Sequence, residues 1–60
     1  MPSDETRRVL KVFGVAVTNL EDAIDRKAPV DEIMKWDQEL AERLRETNAL
    51  VERLRSRRIL

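Results

Sequence analysis

The side chains best suited to chemistry in this chain are charged. Glu21 and Asp25 stand four apart, with Asp22 between them. Paired carboxylates of this kind can bind a hard cation or transfer protons. No histidine or cysteine accompanies them, and no Glu-x-x-His or other metal motif is present. The sequence therefore predicts a solvated acidic helix face, with no metal and no cofactor. Nucleophilic catalysis is equally unsupported. Ser3 and Ser56 lie near the ends with no histidine to activate them, tyrosine is absent, and no glycine-rich loop offers a phosphate cradle. The expectation is a protein that is not an enzyme.

A second set is basic: Arg7, Arg8 and Lys11 near one end, Arg53, Arg55, Arg57 and Arg58 near the other. Guanidinium groups recognise phosphate and carboxylate through their bidentate fork. A nucleic-acid contact is thus one reading of this patch. Against it, no aromatic residue interleaves with the arginines, the pI is near 6.2, and cations at a helix C-terminus suit the helix dipole anyway.

Charge polarity is the strongest global signal. Residues 19–42 hold eight acidic against three basic side chains, a balance of −5, and the two ends hold nine basic against four acidic, +5. If the chain folds back at Pro29, both basic ends meet at one pole and the acidic middle forms the other. In an antiparallel dimer the acidic pole of one hairpin would lie beside the basic pole of the next.

The elements that would carry these groups are two helices. Ser3 is placed to cap the first, with Asp4 and Glu5 in its first turn. Val9, Phe13, Ala16, Leu20 and Ala23 recur at helical spacing. Leu10, Val17 and Ile24 form a second stripe beside them, and Val12 and Val15 widen it. That sector is broader than one neighbouring helix can cover. Pro29 disfavours the α conformation at Ala28, which places a break near Lys27 and Ala28, and suits the first position of a new helix. The second helix carries Val30, Ile33, Leu40, Leu44, Val51 and Leu54, with Met34 and Ala41 beside them; Asp37 and Thr47 interrupt the stripe and Asn48 flanks it.

The expected fold is all-α: one domain, an antiparallel helical hairpin with helices over about 4–26 and 29–57, assembling into a homodimeric four-helix bundle or a higher helical oligomer. A kinked continuous helix is the competing arrangement. Folding about residue 28 would set Phe13 near Leu44, Leu20 near Asp37 and Val9 near Asn48. In size and topology this resembles the class of dimeric four-helix bundles built from hairpins, with no motif to carry over.

Sixty residues without cysteine cannot be stapled by disulfides, and a chain this short buries only about 60% of its unfolded surface. Helix packing or self-association must supply the stability. The residues expected at the oligomer interface are Val9, Leu10, Phe13, Gly14, Val17, Leu20, Ile24, Trp36, Leu40, Leu44 and Val51. Gly14, mid-helix, costs about 0.5–1 kcal/mol relative to alanine; it marks either a close helix crossing or a tolerated defect. Trp36 is suited to packing across subunits, and Thr47 and Asn48 to hydrogen-bonding across a symmetric seam. The terminal Ile59 and Leu60 form a short apolar tail suited to docking.

Function is expected to be interaction: a homo-oligomeric adaptor, regulator or inhibitor that binds itself and another protein. The alternatives are a nucleic-acid-binding regulator using the basic pole, or an accessory subunit of a larger complex. The longest apolar run, Val12 to Val17, is far short of a membrane span and no targeting pattern opens the chain, so a cytoplasmic protein with no membrane contact is predicted.

Overall fold

The computed structural model describes residues 3–59, with side chains for 3–58. Two helices, α1 (Asp4–Asp25) and α2 (Val30–Ile59), pack against each other as a hairpin. Ser3 caps α1: its hydroxyl accepts from the Thr6 amide at 3.1 Å and donates to the Thr6 hydroxyl at 3.1 Å.

The turn is built by a specific backbone device. Lys27 adopts a left-handed conformation, φ 57°. The Ala28 amide donates to the Ala23 carbonyl at 2.9 Å and the Lys27 amide to the Ile24 carbonyl at 3.0 Å. This pair of bonds is the Schellman closure of a helix, normally made with glycine at the left-handed position. The two positions where an apolar pair usually accompanies this closure are Ala28, half-buried, and Ala23, buried. The next helix begins at Val30, one residue later than the expected start at Pro29. The Pro29 carbonyl accepts from Glu32 at 3.0 Å and Ile33 at 3.1 Å, so Pro29 is the N-cap of α2 rather than its first helical residue.

Two ion pairs cross between the helices, Glu5 with Arg53 at one end and Arg26 with Glu32 at the other. Both are centred on Pro29, half a residue beyond the centre of the expected pairs Phe13–Leu44, Leu20–Asp37 and Val9–Asn48. The seam follows a heptad pattern in which a and d face the neighbouring helix. On α1, Thr6, Phe13 and Leu20 occupy a, and Val9, Ala16 and Ala23 occupy d. On α2, Ile33, Leu40, Thr47 and Leu54 occupy a, and Trp36, Arg43 and Leu50 occupy d. The d positions match small to large: the register sets Val9 within one residue of Leu50, Ala16 of Arg43 and Ala23 of Trp36.

The α2 seam therefore differs from the apolar stripe expected for it. Ile33, Leu40 and Leu54 belong to both, but Val30, Leu44 and Val51 face solvent, and Trp36, Arg43 and Leu50 turn inward. Arg43 can occupy a core position because its stem lies along the seam while its guanidinium meets Glu39 at 3.0 Å and also Glu42 and Glu46, all on its own helix. Burial disfavours its charge, but the Glu46 and Glu39 carboxylates outweigh that and leave its pKa raised.

Candidate functional site

Around a helical wheel the a positions lie next to e, and the d positions next to g. In an antiparallel pair the two e edges fall on one side of the hairpin and the two g edges on the other. The g side is polar. It carries both cross-helix ion pairs, along with Glu39 and Glu46. On it, Arg26 is held more basic than usual by its hydrogen bond to Glu32 and then by that to Asp22, at 2.8 Å. The same Arg26 bond holds the Glu32 carboxyl below its ordinary range against the opposing effect of burial. The Lys35 ammonium sits 5.1 Å from the centre of the Trp36 ring.

The e side is apolar. On α1 it presents Leu10, Val17 and Ile24, with Leu10 and Ile24 each more than half exposed at 52% and 53%. On α2 it presents Val30, Leu44 and Val51, all exposed, and Asp37. Phe13, Leu20, Ile33 and Leu40, half-buried at a, continue the surface inward, and Met34 and Ala41 extend it outward.

Burial follows this asymmetry. The buried residues are Val9, Ala16, Ala23 and Leu50, all at d on the side of the polar edge. Leu50 is the one large side chain among them. The hairpin thus buries its small apolar residues and leaves the large ones at a and e partly in water. A free-standing two-helix protein would gain by the reverse arrangement, since burial stabilises by about 25 cal/mol per Å² of apolar surface.

The residues expected at an interface separate accordingly. Leu10, Val17, Ile24, Leu44 and Val51 lie on the uncovered face, and Phe13, Leu20 and Leu40 at its root. Val9 is enclosed within the hairpin and Trp36 is half-buried in the seam. Gly14 is exposed at the outer rim of α1, and a Cβ added there would meet nothing within 4 Å. Thr47 donates its hydroxyl to the Arg43 carbonyl at 2.9 Å on its own helix, and Asn48 is exposed beside the apolar face. Leu50 and Arg43 were not legible as core residues. The signal that finds them is the a/d spacing through Ile33, Trp36 and Leu40.

The antiparallel fold brings Arg7, Arg8 and Lys11 to the same end as Arg53, Arg55, Arg57 and Arg58. Within this set Arg53 is engaged by Glu5 and Arg55 by Glu52, both at near 3 Å (2.9 and 2.8 Å). An open cleft at that end is lined by Ser3, Glu5, Leu50, Arg53, Ser56 and Arg57. At the turn end, Glu21, Asp22 and Asp25 are all exposed, and Asp22 is bonded to Arg26. Among the described residues no group of three acidic side chains is arranged to hold a metal ion, and no helix is long and apolar enough to cross a membrane. The side chains of Ile59 and Leu60, the expected docking tail, lie outside the described residues.

Comparison with protein-family models, with curated proteins and with solved structures finds no match to this chain.

Proposed function

We propose that this protein is a non-enzymatic interaction module, an adaptor, regulator or inhibitor that works as a homo-oligomeric helical bundle. One observation carries the reading: the large apolar side chains at a are only half-buried and those at e are exposed, while only small ones and Leu50 are enclosed. Apolar residues at a, d and e are the pattern of helices that pack against more than one neighbour. A second layer laid on the e side would complete the core, leaving the polar g edges and the charged poles as the surface offered to another protein.

Sedimentation equilibrium of the unmodified chain and of the double variant Val17→Ser, Ile24→Ser tests this. The expected result is an oligomer that becomes a monomer of reduced helicity when the e face is made polar. An unmodified chain that stays monomeric at high micromolar concentration, or a variant of unchanged mass, removes the reading.

A further inference from the structure

Resting on that reading, we infer that the occupant of the apolar face is a second copy of this chain seated antiparallel, turn end over open end, about a two-fold axis passing beside Val17. Three observations converge.

The first is shape. The hairpin is a single layer of two helices, 47 Å long and 18 Å wide. With an axis level with Val17 and Ala41 the turn lies about 15 Å from it, so two antiparallel hairpins overlap over about 30 Å of that length. Both helices of the second hairpin then cover Leu10, Val17, Ile24 and Leu44.

The second is the ridge on α1. Leu10, Val17 and Ile24 are evenly spaced about Val17. Two such ridges running antiparallel place Val17 against its own copy, and Leu10 against Ile24 of the second chain at both ends. The register within the hairpin puts Ala41 level with Val17 on α2, so a small side chain lies at the axis there as well.

The third is charge, which chooses between the two ways of closing a two-fold face-to-face dimer. With turn over turn, the acidic halves coincide, and Glu21 of one chain comes level with Asp37 of the other. With turn over open end, Asp25 comes within one residue of level with Arg8 of the second chain and Glu21 within two of Lys11, and Asp37 comes level with its Arg45. Like charges facing each other across an interface penalise the first arrangement, and complementary ones fix the register of the second.

The chain has no cysteine, so single spin labels can be introduced cleanly at Lys27→Cys, in the turn, and at Ser56→Cys, near the open end; both positions are exposed and off the proposed interface. Dipolar spectroscopy then reads the distance between the two copies. At 1.5 Å per helical residue from an axis level with Val17 and Ala41, the antiparallel dimer places the labels about 30 Å apart at position 27 and about 45 Å apart at position 56. Distances under about 20 Å at either site mean like ends together. That result overturns the orientation and leaves the homo-oligomeric reading standing. Absence of intermolecular coupling at both sites, with a monomeric mass, overturns both.

Discussion

Arg53 reaches across the hairpin to Glu5, with Nη2 2.9 Å from Oε1, joining residues 48 positions apart in the chain. This pair and the one between Arg26 and Glu32 are the polar clamps at the two ends of the g edge. Both Arg53 and Glu5 are 54% exposed, and pairs of that kind contribute about 0–1 kcal/mol. A double-mutant cycle with Glu5→Ala and Arg53→Ala, followed by urea denaturation, should give a coupling below about 1 kcal/mol that shrinks as salt is added. The clamp sets register more than it sets stability.

The turn holds a lysine where glycine is at ease. A side chain in the left-handed region costs roughly 1–2 kcal/mol, and glycine recovers part of that while losing chain entropy on folding. Lys27→Gly should stabilise the hairpin by about 0.5–1 kcal/mol. The check is a rise of a few degrees in thermal midpoint at equal protein concentration.

Leu50 is the one large aliphatic side chain the hairpin removes from water. Leu50→Ala should destabilise by about 2–4 kcal/mol, the range for such truncations in cores. A cost below about 1 kcal/mol by denaturant titration would mean that Leu50 is not enclosed in solution.

Gly14 faces open space on the outside of α1. Gly14→Ala should therefore add about 0.5–1 kcal/mol of helix stability. Circular dichroism during thermal unfolding reads this directly. A loss of stability would show that another helix crosses there.

Acid sensitivity should concentrate at the turn. The Glu32 carboxyl is held below its ordinary range by the bond from Arg26. A group whose pKa is depressed by folding contributes stability above its unfolded pKa and loses it as pH falls through the folded value. Glu32→Gln should accordingly lower stability at neutral pH and leave it unchanged once the wild-type carboxyl is protonated. Thermal midpoints of both proteins across the acid range should converge.

How much of this was legible in the sequence is best judged on α2. The break near Lys27 and Ala28, the Ser3 cap and the uncovered stripe on α1 all follow from local chemistry, and the structure has them. The inward face of α2 does not. Two heptad frames overlap there and share Ile33, Leu40, Thr47 and Leu54. The frame richer in aliphatic residues adds Val30, Leu44 and Val51; the frame that packs on α1 adds Trp36, Arg43 and Leu50. Reading hydrophobicity residue by residue discards an arginine at once. A guanidinium with three glutamates within reach on its own helix can still keep a long aliphatic stem in the seam. Across the seam the nearest d residue on α1 is the small Ala16, a match that belongs to the pairing and not to either helix alone. The same limit applies to the uncovered face. The excess of apolar residues on α1 was visible, but not that the e residues of α2 open onto the same side.

With four enclosed residues, Val9, Ala16, Ala23 and Leu50, the isolated hairpin has little to hold it against its own chain entropy. In the proposed dimer the second copy on the e face is part of what keeps the polypeptide folded, and the folded fraction would then follow mass action. Synthesis rate would be a threshold variable for such a dimer: below it chains would stay open to proteases, and above it they would accumulate in protected form. Dilution alone would serve to clear it.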